Sequence, residues 1–290
     1  MRKIPVLALA AALAFAVFAL VGCEEGSNRV PNGGSMGDTC VSFIDVGKGD
    51  CILLQAGDSA ALIDTGYSST SGDVLSYLEK RGVSHLDCIV ITHYDRDHVE
   101  GLRAIGKALK IGTVYLPGYE GSDKNYQTVM SAVGDLGLNA QQVTETLHLK
   151  LGSNDLDVFP SSVEYIPGSK GDEGNDNDLS LVASLTGNGA SYLFAGDLEK
   201  EGIDAFLEAR HGQFDVVKMP HHGKKSSGTN DFVESVKPRI AVITDSNDDP
   251  ADKKTLKALD EVGADVYRTS TSGTIAVSND DAGHYSVSTQ

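Results

Sequence analysis

The chain has 290 residues and a formal net charge of −17 at pH 7. This length is sufficient for one large α/β domain with a sizeable hydrophobic core. Because an acidic surface repels polyanions at long range, the charge argues against tight, non-specific DNA binding through many Lys and Arg contacts. A hydrolase that contacts only a few phosphate groups remains compatible with it.

The first segment has the pattern of a secretory signal peptide. Arg2 and Lys3 precede an apolar run over residues 4–21, and the last four residues of the segment, 20–23, resemble a lipobox in which Cys23 is lipidated. A plain transmembrane anchor is the alternative. We therefore predict a lipoprotein signal peptide over 1–22, a flexible polar tether over 23–37 and one folded domain over 38–290. The lipid on Cys23 would tether an exported protein to the outer side of the cytoplasmic membrane or to the cell surface.

Three further cysteines, Cys40, Cys51 and Cys88, lie in or beside apolar runs. We expect them to be small buried side chains. Because an exported protein can oxidise its thiols, a Cys40–Cys51 disulfide is the alternative.

The domain is predicted to open with strand hairpins over 41–46, 51–56 and 60–66, followed by a helix that Ser71 caps and that runs to Lys80. Asp64 stands at the end of the third strand, where an aspartate is ordinarily a turn residue.

A dense group of potential metal ligands follows the apolar run 88–91, which predicts a buried strand. Four such residues lie within six positions: His93, Asp95, Asp97 and His98. A helix predicted over 99–109 follows, so the group occupies a loop at the C-terminal end of a strand. Imidazoles mixed with carboxylates suit zinc, manganese or iron. The alternative is an acidic loop that caps the helix.

The rest of the chain is predicted as alternating strands and helices. The segment 139–166 is predicted to hold short strands in an unassigned order. Other strands are predicted over 113–116, 179–185, 191–194, 215–220, 239–244 and 264–268, and the Gly-Asn-Gly turn at 187–189 predicts that 179–185 and 191–194 form a hairpin. Helices are predicted over 125–136, 199–210 and 252–261, and a closing hairpin runs through Ser272-Gly273.

Two of these strands deliver further ligand types at their C-terminal ends. Asp197 follows the strand 191–194, and His221 and His222 follow the strand 215–220. Successive residues of an extended chain point to opposite sides, so only one of the two histidines should face Asp197, and we favour His221.

Lys225 and Ser226 come just after the two histidines and are candidates to hold a phosphate oxygen. The alternative for Lys224 and Lys225 is a solvated surface pair.

The loop at 93–98 reads His-x-Asp-x-Asp-His and resembles the HxHxDH signature of the metallo-β-lactamase superfamily, with Asp95 in place of the second His. That departure, the segment 43–50 and the motif 221–226 together resemble the ComEC-type branch, the hydrolase domain of bacterial DNA-uptake proteins. The resemblance covers residues from about 40 to about 280, and it implies an α/β fold, the four-layer αββα metallo-β-lactamase sandwich.

Two lysines depart from the pattern of this branch. Lys48 stands in the opening motif where Gln is usual, and Lys224 stands after the paired histidines where Ser is usual.

The resemblance implies a centre with two divalent ions, zinc or manganese. It implies that Asp64 supports the metal loop. Two such ions lower the pKa of a bound water, and a carboxylate such as Asp97 could take its proton. The resemblance assigns one ion to His93, Asp95 and Asp197, and the other to Asp97, His98, Asp197 and one of His221 and His222. One ligand of the usual set is missing, and Asp176, Asn177 or Asp178 are candidates for it. The alternative is that these three residues belong to a solvated loop. A site this rich in oxygen ligands favours tolerance of manganese.

These features predict an exported, membrane-tethered, metal-dependent hydrolase, a phosphodiesterase with nuclease-like activity on DNA. An envelope phosphodiester esterase, similar to choline-phosphate esterases of the superfamily, is the second hypothesis. A binding lipoprotein that has lost its metal ions is the third. DNA or another phosphodiester is expected as a substrate, and no stable nucleic-acid partner is expected.

Overall fold

The computed structural model describes residues 39–121, 124–166, 175–210, 212–280 and 282–290. The predicted signal peptide, the tether and Cys23 lie outside these residues. Within the described part, the helices are too short or too polar to cross a lipid bilayer.

The described residues form fifteen strands, each only a few residues long. They are β1 (Thr39–Phe43), β2 (Ile52–Ala56), β3 (Ser59–Ile63), β4 (His85–Val90), β5 (Lys110–Pro117), β6 (Ala140–Val143), β7 (Leu147–Leu151), β8 (Asn154–Phe159), β9 (Val182–Gly187), β10 (Ala190–Phe194), β11 (Val216–Lys218), β12 (Ile240–Ile243), β13 (Asp265–Arg268), β14 (Ile275–Asn279) and β15 (Tyr285–Thr289).

Eight α-helices are found in the same residues. They are α1 (Ser71–Lys80), α2 (Arg96–Val99), α3 (Leu102–Ala108), α4 (Lys124–Leu136), α5 (Lys200–Ala209), α6 (Thr229–Val236), α7 (Lys253–Glu261) and α8 (Thr269–Ser272). Short 3₁₀ turns occur at Ser68–Thr70, Asp176–Leu179 and Pro220–Gly223.

The strands form two mixed sheets. The order in the first sheet is β15-β14-β1-β2-β3-β4-β5-β6, and the order in the second is β13-β12-β11-β10-β9-β8-β7. Alternate residues of β2 enter different cores: Ile52 and Leu54 lie in the core between the sheets, and Leu53 lies in the core beneath α1, α3 and α4. A third core lies between the second sheet and α5, α6 and α7. Three cores separate four layers, which confirms the αββα sandwich.

The hairpin predicted around Asn188 connects β9 and β10. Asn188 and Gly189 have φ angles of 51° and 71°. Two consecutive positive φ values are those of a type I′ turn, whose twist matches that of the flanking strands. The hairpin fixes the direction of β10, which leads to Asp197.

The predicted elements differ from the structure in three places. The helix predicted over 99–109 is divided into α2 and α3 at Gly101, where a Cβ atom would lie 2.1 Å from the carbonyl oxygen of Thr65. Helix α6 was not predicted. The closing hairpin turns between β14 and β15, and the segment 269–272 is the short helix α8. Strand β14 then pairs antiparallel with β1.

The cysteines of the described residues, Cys40, Cys51 and Cys88, are free and buried. Burial raises the pKa of the Cys51 and Cys88 thiols. The expectation of small buried thiols is confirmed, and the structure has no Cys40–Cys51 disulfide.

Candidate metal centre

The polar residues predicted at strand ends converge at one edge of the two sheets. Strands β3 and β4 are parallel neighbours in the first sheet, and β10, β11 and β12 are parallel neighbours in the second. Parallel strands bring their C-terminal ends to the same edge. Asp64 follows β3, the loop 93–98 follows β4, Asp197 follows β10 and His222 follows β11.

The Nε2 atoms of two histidines face the same carboxylate oxygen. Asp197 Oδ2 lies 3.0 Å from His222 Nε2 and 3.4 Å from His98 Nε2, and the two nitrogens are 3.3 Å apart. Asp97 Oδ2 lies 3.4 Å from His222 Nε2. Four sets among the described residues have ligand atoms within 4.8 Å of one another: His93, His98 and Asp197; Asp97, His98 and His222; Asp50, Asp197 and His222; and Asp50, Asp64 and His98.

The second ring nitrogen, Nδ1, contacts a hydrogen-bonding group in each of three histidines, His93, His98 and His222. Nδ1 lies 2.8 Å from Asp64 Oδ2 in His98, 3.1 Å from Thr244 Oγ1 in His222 and 3.0 Å from Thr92 Oγ1 in His93. Such contacts fix the tautomer and the orientation of a metal-binding histidine. They direct all three Nε2 atoms into the cluster.

Asp64 uses both oxygens to hold the loop that carries the ligands. Oδ1 accepts a hydrogen bond from the Thr92 backbone N–H at 2.8 Å, and Oδ2 accepts one from Thr92 Oγ1 at 2.7 Å as well as contacting His98. Its φ of 58° is uncommon for a residue other than glycine. This strained position brings the carboxylate under the loop, in the supporting role that the resemblance implied.

The structure places His222, and not His221, against Asp197. His221 has φ 46° and ψ 48°, and His222 has φ 52° and ψ 31°. The preference for His221 assumed an extended chain, but two left-handed residues in a row turn the chain tightly after Pro220. His221 is partly exposed, and its Nδ1 lies 3.4 Å from Glu199 Oε1.

Two side-chain atoms that could bind a metal ion, one in His93 and one in Asp95, have no hydrogen-bond partner. Among the described residues, His93 Nε2 and Asp95 Oδ1 are buried and lack one. Asp95 Oδ2 lies 3.6 Å from His93 Nε2. Burying a nitrogen and an oxygen without hydrogen-bond partners is unfavourable unless a cation or a proton binds them. The residues present therefore fit a bound metal ion.

Two of the three candidates for the missing ligand, Asn177 and Asp178, have other partners. Asp178 Oδ1 accepts hydrogen bonds from the backbone N–H groups of Glu199 and Gly202 at the start of α5, and Asn177 donates to the Glu199 side chain. Ser180 reaches the centre instead: its Oγ accepts the Asp197 backbone N–H at 3.0 Å and lies 3.4 Å from His93 Nδ1.

A buried lysine that was not predicted from the sequence, Lys218, lies beside Asp197. Lys218 Nζ is 2.5 Å from Asp50 Oδ2 and 3.2 Å from Asp197 Oδ1, and it donates to the Gly196 carbonyl at 2.8 Å. Asp50, also missed, accepts a hydrogen bond from Thr244 Oγ1 at 2.6 Å. A lysine in the apolar run of β11 was a usable signal, because a buried ammonium requires a charged partner.

The structure does not bring Lys225 and Ser226 into the cluster. Lys225 is exposed, and its backbone N–H donates to Asp252. Ser226 Oγ accepts the Gly228 N–H at 3.2 Å and lies 3.5 Å from Thr229 Oγ1, so it closes the turn before α6. These two residues were selected from a motif, and the tight turn after Pro220 directs them elsewhere.

Comparison with known proteins agrees with this geometry. The sequence profile of the metallo-β-lactamase superfamily matches residues 44–244, more than half of the chain. The chain belongs to the metallo-β-lactamase superfamily.

Among curated members of this superfamily, ComE operon protein 3 of Bacillus subtilis is 29% identical over 259 residues, which cover 81% of this chain and 32% of that protein. Recombination protein 2 of Haemophilus influenzae is 26% identical, with 82% and 28% covered. The chain thus spans about a third of the length of these relatives. The metallo-β-lactamase fold protein YhfI of Bacillus subtilis has a TM-score of 0.54 at 12% identity, with 86% of this chain and 99% of that chain covered, and supports the fold.

In this metallo-β-lactamase site, the carboxylates raise the pKa values of two histidines when no metal is present. Burial lowers the pKa of His98, but Asp197 and Asp64 raise it well above its usual value. Burial also lowers the pKa of His222, but Asp197 and Asp97 raise it above the usual value. The pKa values of both imidazoles thus lie above that of an ordinary histidine, so each keeps its Nε2 proton to a higher pH in the metal-free protein.

We expect the apparent metal affinity to increase as the pH rises through and above the ordinary histidine range, because an ion must displace these protons from Nε2. Calorimetric titration in two buffers with different ionisation enthalpies would measure the protons released. Binding without proton release at pH 7 would contradict the assigned state of His98 and His222.

Proposed function

We propose that this chain is a phosphodiesterase that uses two divalent ions, zinc or manganese, and cleaves DNA. The observation that carries the proposal is the position of Asp197 Oδ2, within 3.4 Å of the Nε2 atoms of both His98 and His222. One ion would be held by His93, Asp95 and Asp197, and the other by Asp97, His98, Asp197 and His222. Such ions lower the pKa of a bound water and offset the charge of a phosphoryl group.

The protein's own residues have distinct parts in this chemistry. Burial raises the pKa of Asp97, but the neighbouring His222 and His98 lower it by more than burial raises it. The carboxyl is therefore ionised at neutral pH. Its side chain is partly exposed at the mouth of the centre, where it can accept a proton from an attacking water. Asp64, Thr92, Thr244 and Ser180 keep the ligands oriented through the hydrogen bonds described above.

DNA is proposed as the substrate because the chain is similar to ComE operon protein 3 and to a protein named competence protein ComA of Neisseria gonorrhoeae. The resemblance to DNA-uptake hydrolase domains supports the same choice. The net charge of −17 supports few phosphate contacts in place of an extended DNA-binding surface.

The test compares metal-loaded and chelator-treated chain on single-stranded DNA, duplex DNA and a choline phosphodiester. Metal-dependent DNA cleavage is expected. Turnover of the choline ester alone would support the envelope esterase instead. A fully metal-loaded chain that cleaves no phosphodiester would overturn the proposed function.

We also propose that the protein is exported and anchored by a lipid on Cys23, as residues 1–23 indicate. Cys23→Ser should abolish incorporation of labelled fatty acid and leave an uncleaved or soluble form. If the variant is cleaved correctly and still sediments with membranes, the anchor is not a lipid on this residue.

A further inference from the structure

The two lysines that depart from the branch pattern share one carboxylate. Lys48 lies on the loop between β1 and β2, and its Nζ is 3.4 Å from Asp249 Oδ2. Lys224 follows the paired histidines, and its Nζ contacts Asp249 Oδ1 and donates to the Pro250 carbonyl at 2.9 Å. Segments far apart in the sequence thus place two ammonium groups on one aspartate.

This pair lies at the rim of the candidate metal centre. The residue after Lys48, Gly49, packs so closely on the metal loop that a Cβ atom would lie 2.7 Å from the Asp97 carbonyl oxygen. The next residue, Asp50, donates its backbone N–H to the same oxygen at 3.1 Å. Burial lowers the pKa of Lys48, but Asp97, Asp197 and Asp249 raise it above the usual value, so its ammonium lies within the field of the centre.

The charges of the three side chains at this rim do not cancel, and the side chains are partly exposed to solvent. Asp249 carries one negative charge and faces two ammonium groups, so these three side chains together carry a charge of +1. The side chains of Lys48 and Lys224 are 27% and 24% exposed, and that of Asp249 is 47% exposed. Exposed ion pairs are weak, so an anionic ligand can compete with Asp249 for both lysines.

We propose that Lys48 and Lys224 form an anion subsite that binds a second phosphate group of the substrate, beside the phosphodiester at the metal centre. The inference rests on the proposed function and specifies its substrate class: a phosphodiester with a neighbouring phosphate, such as a nucleotide strand with a 5′-phosphate. Asp249 holds the two ammonium groups in place when no substrate is bound.

The probes are two thymidine dinucleotides, one with and one without a 5′-phosphate, whose methylenephosphonate linkage resists hydrolysis and keeps the negative charge of a phosphodiester. Calorimetry with the metal-loaded chain should show about tenfold tighter binding of the phosphorylated probe, from two charge-assisted contacts. Lys48→Gln combined with Lys224→Ser should reduce this preference to less than about twofold. Metal content and affinity for the other probe should not change.

The matched control, Lys253→Gln with Lys254→Gln, removes two exposed charges from α7 and should keep the preference. Asp249→Asn should tighten binding of the phosphorylated probe, because it removes the carboxylate that competes for the two lysines. This variant tests the subsite if the double lysine variant does not fold. A wild-type chain without the preference, a preference that survives in the double variant, or weakened binding in Asp249→Asn would overturn the subsite. Turnover of ordinary DNA is measured separately, so its absence would count against the proposed function alone.

Discussion

Replacing His222 with alanine is expected to remove at least one metal ion per chain and most of the phosphodiester turnover. His222 Nε2 lies 3.0 Å from Asp197 Oδ2 and 3.4 Å from Asp97 Oδ2, so the imidazole is central to the proposed second ion. The loss should exceed the ~10–100-fold that typically follows removal of an outer partner of a metal ligand. Elemental analysis and steady-state turnover of the purified variant measure the two effects.

His221→Ala is the matched control, because it removes the same side chain one residue earlier. His221 contacts Glu199 at 3.4 Å and lies at the edge of the centre. This variant should retain its metal ions and lose turnover only modestly. Metal loss in His221→Ala with full occupancy in His222→Ala would contradict the ligand assignment.

Lys218→Met is expected to destabilise the metal-free protein by about 3–5 kcal/mol, the usual effect of removing one partner from a buried ion pair. The side chain of Lys218 is fully buried against Asp50 and Asp197, and the substitution leaves both carboxylates without their cation. Added metal should stabilise the variant more than the wild type, since bound ions would offset the unpaired negative charge of the buried carboxylates.

Urea unfolding in the presence of chelator and then of excess metal measures both effects. Lys254→Met, at an exposed position of α7, should change the free energy of unfolding by less than about 0.5 kcal/mol. A Lys218→Met protein as stable as this control would show that the ion pair contributes little to the fold.

The sequence was informative where the signal is local. The Asn188-Gly189 turn, the run of β4 and helix α1 follow from turn chemistry and periodicity, and the structure has them close to the expected positions. Gly101 was not recognised as a helix break, because its role depends on the backbone of Thr65, which is distant in sequence.

The site shows the same division. His93, His98 and Asp197 were found because they end strands whose parallel arrangement brings them together. The choice between His221 and His222 failed because it depends on left-handed φ values that residue types do not reveal. Lys218 was missed because its carboxylate partners, such as Asp50, come from other strand ends.

The most direct test of a two-metal phosphodiesterase is elemental analysis of the freshly purified chain, paired with DNA turnover on the same sample. The arrangement of His93, His98, Asp97, Asp197 and His222 predicts close to two divalent transition-metal ions per chain and turnover that disappears when they are removed. Fewer than one ion per chain, even after reconstitution with zinc or manganese, would contradict the account.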